Sequence, residues 1–215
     1  MSTYNPASAQ DAPPKIEADA DSRNLRWRIV DIVVAAVLGV ACGLIFFVWD
    51  IAANPARDAL KLAFPGLAGL MGGIWLLGGV LGGLIIRKPG AAIFVEFVAA
   101  MVPALIGNQW GMTTLASGLL QGLGAELIFL VFLYKRWGIP VAMLAGIGAA
   151  CLEWVFEIFV WYAAKTTEYK AFYLLFLAIS GAVLAGLLGW LLTQALARTG
   201  VLDRFGSGRS ARVLV

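Results

Sequence analysis

Two acidic residues inside an apolar run carry the chain's most informative chemistry. The stretch Cys151–Tyr162 reads CLEWVFEIFVWY and sets Glu153 and Glu157 within an apolar segment running from Pro140 to Tyr162. As a helix, a run of about 20 residues crosses the hydrocarbon core of a bilayer. Residues four apart share a helical face. Glu153 and Glu157 therefore point the same way, with Gly146, Ala149 and Ala150 below them and Trp161 above. An ionised carboxylate facing lipid costs about 2.5–3.5 kcal/mol even on a lenient insertion scale. Two on one face must look into a cavity or meet a positive partner. No lysine or arginine lies at that depth in the sequence, so the expected partner comes from outside the chain. The pair then lines a site for a polar or cationic small molecule. The competing reading makes one of them a protonated, hydrogen-bonded tie to a neighbouring helix.

The elements that must position this pair are transmembrane helices. The chain has 215 residues, of which 61% are hydrophobic and 13% charged, with a mean hydropathy of +0.86. Several uninterrupted apolar stretches make it an all-α polytopic membrane protein. Its 25 glycines sit within those stretches, which fits closely packed helices. Net charge is only +3 and the basic residues sit in loops, so nucleic acid is not an expected partner. The absence of histidine removes imidazole catalysis and the commonest metal ligand. Cys42 and Cys151 lie in apolar segments without metal-ligand spacing. The pattern GGVLGG lies inside a span, and no GxxxxGK occurs, so this chain is not expected to bind ATP.

In chain order, residues 1–24 read as a disordered cytoplasmic tail, rich in Ala, Asp, Ser and Pro. A six-helix domain occupies 25–198, and 199–215 form a second cytoplasmic tail. The first span, Ile29–Trp49, carries Ala35, Gly39 and Gly43 every four residues, a stripe for close helix contact. The stripe serves either packing within the chain or the docking of a separate membrane subunit. Asp31 sits near the membrane boundary, where a charge is cheap. Asp50–Gly66 is a long connector, either a lid or a short interfacial helix. The second span, Leu67–Ile86, is glycine-rich; Arg87–Gly90 is a basic turn; the third span is Ala91–Ile106. After the polar loop Gly107–Thr114 come the fourth span, Leu115–Tyr134, the fifth, Pro140–Tyr162, and the sixth, Ala171–Ala197.

Basic residues fix the expected orientation. Eleven flank the spans on the side of both termini and four on the other, which places the termini in the cytoplasm of a multi-pass plasma-membrane protein. Glu153 then lies near mid-membrane, with Glu157 one turn, about 5–6 Å, nearer the outside. Gln121 lies in the outer half of its span and Asn108, Gln109 and Trp110 at the outer mouth. Glu96 and Glu126, on the cytoplasmic side of the middle, read as packing residues. Most tryptophans fall at membrane boundaries, Trp161 among them; Trp75 and Trp154 lie deeper and, with Trp110, suit stacking on a flat ring or a cation.

Carboxyl groups, amides and indoles around an outward cavity suit a planar, nitrogen-rich ligand. A carboxyl group meets the ring nitrogen and exocyclic amine of an aminopyrimidine with two hydrogen bonds, and tryptophan supplies stacking. No nucleophile, metal cluster or histidine accompanies the pair, so an enzyme is not expected.

The segments RWRIVDIVVAAVLGV, GVLGGLIIRKPGAA, ALIGNQWG and SGLLQGLGAELIF resemble the YkoE-type membrane component of energy-coupling factor (ECF) ABC transporters. The similarity covers about Arg26–Ala197. It implies a six-helix substrate-binding S component for thiamine or its hydroxymethylpyrimidine precursor. It also implies a transmembrane coupling subunit and cytoplasmic ATPases that hydrolyse the ATP, so that this chain itself needs no cofactor. In such proteins a small-residue motif on the first helix contacts the coupling subunit, and Ala35, Gly39 and Gly43 match it loosely. The alternative is a self-sufficient proton- or cation-coupled carrier using Glu96, Glu126, Glu153 and Glu157 as a relay.

Overall fold

The apolar stretches wind into helices that surround one central span. The computed structural model describes residues 25–208. The expected tail at 1–24 lies outside them, as does 209–215. The elements are α1 (Ile29–Ala52), α2 (Asn54–Ala63), a 3₁₀ segment (Leu67–Leu76) running into α3 (Leu77–Ile86), α4 (Ala91–Ile106), α5 (Thr113–Val131) and α6 (Ile139–Val160). A last long helix comprises α7 (Thr167–Ser180), a π segment (Gly181–Leu187) and α8 (Leu188–Arg198). Among the described residues, five helical stretches are long and apolar enough to cross a membrane, and α4 is a shorter apolar sixth.

Every residue of α3 is buried, whereas the outward face of α1 leaves Val33, Val37, Val40, Leu44 and Val48 exposed. The ring runs α1, α4, α5, α6, α7, with the 3₁₀ segment and α3 inside it. Without a hydrophobic drive between helices in lipid, close van der Waals contact holds such a ring together, and glycine permits it. Gly124 of α5 and Gly148 of α6 meet backbone to backbone, as do Gly146 of α6 and Gly181 of the π segment. The stripe Ala35, Gly39 and Gly43 is consumed in the same way. A side chain at Gly39 would strike Val98, and one at Gly43 would strike Ala99 and Val102, all on α4. Ala35 is fully buried. These three residues are therefore closed to a separate subunit, which corrects their assignment as subunit contacts.

Three further expectations change. The second span is not one α-helix: its first half is a tighter 3₁₀ coil whose glycines lie against α7. Ser180 on α7 fastens it, accepting from Gly73 N (2.9 Å) and donating to Leu70 O (2.5 Å). The fourth span stops at Val131, because Leu133 and Tyr134 turn into left-handed backbone (φ 52° and 53°). That conformation is costly without glycine, and here the Tyr134 hydroxyl is anchored on Glu126 at 2.6 Å. Asp31 is not at an exposed boundary but fully buried. It accepts from Arg28 (Nη2, 2.7 Å) and from Lys88, whose Nζ also donates to Arg26 O (2.5 Å).

This same end of the bundle holds the chain's last described residues. Residues 199–208 fold back beneath the helices, burying Leu202 and Phe205. Ser207 donates to Ile85 O (3.1 Å), and Arg87 and Arg28 donate to the carbonyls of Gly206 and Arg204. Glu126 completes the fastening by accepting from Gly90 N (2.7 Å) and Ala92 N (2.9 Å), the unpaired donors at the start of α4.

Candidate functional site

At the opposite end the helices part around a cavity of about 330 Å³, large enough for a small organic molecule. Its walls come from all six spans, and α2 stands at its mouth. The helix α2 buries none of its own residues, starts with Pro55 in its first turn, and turns Arg57 and Lys61 toward the cavity. On its solvent side Lys61 pairs with Asp58 at 2.8 Å, which holds the Asp58 carboxyl below its usual range. The facing loop carries Asn108, which donates to Thr114 Oγ1 (2.8 Å) and accepts from Trp110 N (3.1 Å). Asn54 Oδ1 accepts from both Arg57 Nη2 (2.5 Å) and Gln109 Nε2 (3.3 Å), joining α2 to that loop.

The two glutamates of α6 are both in this cavity but have different partners. Ser117 on α5 donates to Glu153 between its two oxygens, at 2.8 Å from each, and in turn accepts from Gln121 Nε2 at 2.8 Å. Glu153 is thus satisfied by the chain. Glu157, beside Tyr173 of α7, keeps Oε2 buried and unpaired. Below them Glu96 of α4, fully buried, accepts from Gly79 N and leaves Oε1 unpaired. Near the mouth Trp75 donates to Asp50 Oδ1 at 2.7 Å, while Asp50 Oδ2 has no partner. Trp75 and Trp110 meet edge to face at 5.5 Å, and the Arg57 guanidinium stands over both rings.

Among the described residues, four buried side-chain polar atoms have no hydrogen-bond partner: Asp50 Oδ2, Arg57 Nε, Glu96 Oε1 and Glu157 Oε2. All four belong to residues lining this one cavity. Native interiors pair nearly all such atoms, since each orphan costs about 1–3 kcal/mol. Their concentration on the lining of one hollow makes that hollow the candidate site.

Of the residues singled out in the sequence, Glu153, Glu157, Asn108, Gln109, Trp110, Gln121, Trp75 and Trp161 line the cavity together. Trp154 does not. Its indole donates to Lys170 O at 2.8 Å and its ring packs on the apolar core between α6 and α7, so it braces helices instead of facing a ligand. Glu126 belongs to the fastened end, whereas Glu96 belongs to the cavity as well as to packing. Arg57, which the sequence did not mark, comes from α2 to the mouth of the same cavity and stands over Trp75 and Trp110. Sequence reasoning also missed Asp50, Tyr162 and Tyr173. Asp50 had a legible signal, an acid directly at the end of an apolar span. The tyrosines read as ordinary boundary aromatics.

Comparison with known proteins places this geometry in a family. Residues 30–152 match a family model described as an ABC-type cobalt transport system, permease component. The chain is 35% identical over 195 residues, 86% of its length, to YkoE of Bacillus subtilis (strain 168), a protein named provisionally as an HMP/thiamine permease, and covers 92% of that relative. A crystal structure of an S-component of an ECF transporter superposes with a TM-score of 0.80 at 36% identity, covering 87% of this chain and 94% of that one. The chain belongs to that permease family and, with its YkoE relative, to the S components of energy-coupling factor transporters.

Proposed function

We propose that this chain captures thiamine or its hydroxymethylpyrimidine precursor from outside the cell for an ECF-type importer. Both termini lie in the cytoplasm, and the cavity opens outward beneath α2. Glu157 binds the aminopyrimidine edge, with Glu153 held behind it by Ser117. Trp75, Trp110 and Trp161 enclose the ring, and Asn108, Gln109 and Gln121 meet its polar substituents. The observation that carries this reading is the set of three unpaired carboxyl oxygens, Asp50 Oδ2, Glu96 Oε1 and Glu157 Oε2, around one hollow beside indole faces. Amine and ring N–H donors are their complement. The name of the B. subtilis relative agrees with that choice. The cobalt in the family description finds a poorer match. The chain has no histidine, and among the described residues no three His, Cys, Asp or Glu side chains converge to hold a metal ion.

Energy comes from partners: a transmembrane coupling subunit and cytoplasmic ATPases, with no cofactor in this chain. Purified alone in detergent, the chain should bind thiamine or hydroxymethylpyrimidine with submicromolar affinity and without an ion gradient. Ion-driven accumulation in liposomes holding only this chain would overturn the reading in favour of a self-sufficient carrier.

A further inference from the structure

The mouth of the cavity holds a guanidinium that forms no ion pair with the acidic wall. Arg57 is tied through Nη2 to Asn54 and stands over the Trp110 ring at 5.1 Å and the Trp75 ring at 5.8 Å. Its Nε is buried and donates to nothing. Lys61, the other basic residue of the lining, is engaged by Asp58. The remaining unpaired buried atoms are acceptors on Asp50, Glu96 and Glu157. The hollow therefore asks a ligand for donors along one wall and for a single acceptor at the mouth.

We infer that Arg57 is a specificity-determining residue whose Nε reads an oxygen, of an alcohol or a phosphate monoester, carried by the ligand away from its amino edge. This rests on the aminopyrimidine reading above and adds to it a second recognition point. Guanidinium is suited to the task because it stays charged and donates in a fixed plane, and here two neighbours fix that plane. Asn54, shared with Gln109, holds one edge. The two indoles hold the face. A site built to hydrogen-bond a ligand oxygen rejects the analogue that lacks it, because its own donor is then left unpaired.

Three aminopyrimidines differing in one substituent test this: methyl, hydroxymethyl and phosphorylated hydroxymethyl. In calorimetric titrations of the wild-type chain, the hydroxymethyl compound should bind about tenfold more tightly than the methyl one. The phosphorylated compound should bind no more weakly than the alcohol. In Arg57→Met the separation between methyl and oxygen-bearing ligands should collapse to about twofold or less. In Asn54→Leu, which unties the guanidinium but retains it, the separation should narrow partway. Because α2 buries no residue of its own, both variants should keep the wild-type unfolding temperature. A separation of the same size in wild type and both variants overturns the role of Arg57 and leaves the aminopyrimidine reading standing. Failure of all three ligands and of thiamine to bind wild type, with the chain folded, overturns both.

Discussion

Ser117 and Glu153 face each other across α5 and α6, with the serine hydroxyl 2.8 Å from both carboxyl oxygens. Four residues further along α6, Glu157 has no such partner for its Oε2. Two glutamates on one helical face thus differ: both oxygens of one are engaged by the protein, and the other keeps an oxygen without a partner. Glu157→Gln should weaken ligand binding more than tenfold, a loss of about 1.4 kcal/mol or more. Glu153→Gln should also weaken it more than tenfold, but through a misplaced Ser117–Gln121 chain, so Ser117→Ala should reproduce part of its effect. Isothermal titration of the three variants checks the order, and unchanged curves for both glutamate variants would sink the assignment.

Of the four tryptophans singled out for the site, Trp75, Trp110 and Trp161 line the cavity and Trp154 does not. Trp110→Ala should lower ligand affinity, since stacking on it and the support of Arg57 are lost together. Trp154→Phe should leave affinity where it is and cost stability of about 1 kcal/mol for the lost bond to Lys170 O. Tryptophan fluorescence titration paired with thermal unfolding in detergent distinguishes the two.

Glu96 performs a structural task at the floor of the cavity. It accepts from Gly79 N in a fully buried position. Glu96→Gln retains an acceptor for that amide and should unfold near the wild-type temperature. Glu96→Ala strands a buried N–H and should lose about 1–3 kcal/mol. Equal unfolding temperatures for the two variants would show that the Gly79 contact contributes nothing.

Backbone contact between α5 and α6 sets the distance over which Ser117 reaches Glu153. A Cβ at Gly124 would collide with the Gly148 carbonyl. Gly124→Val should therefore destabilise the protein by about 1–3 kcal/mol through overpacking. It should also weaken ligand binding, although residue 124 lines no part of the cavity. Thermal unfolding and titration on the same preparation test both effects.

The spans were legible because lipid leaves so few solutions. Apolar runs of sufficient length must be helices, and the basic turn Arg87–Gly90 and the polar loop after Ile106 mark where they stop. The intramembrane acids were legible for the same reason, since a charge at that depth needs a cause. Other features were hidden because they depend on neighbours distant in sequence. The stripe on α1 gave no sign of whether α4 or another protein would cover it. The 3₁₀ winding of Leu67–Leu76 follows from how closely its glycines lie against Tyr173, Leu177 and Ser180. Arg57 was invisible as a site residue because only the fold brings α2 over Trp75 and Trp110. Trp154 showed the converse: its place within the helix was legible, but its rotation about α6, toward Lys170 O, was not.

The fastened end of the bundle has a mechanical consequence. Below Glu96 lies a packed layer around Val80, Leu84 and Phe129, then the Asp31–Lys88 pair, and finally Leu202 and Phe205 folded across the bottom. A solute travelling that way would have to part each tier in turn, breaking buried ion pairs as it went. The molecule is shaped as a cup and not as a tunnel, so its contents leave by the rim through which they came.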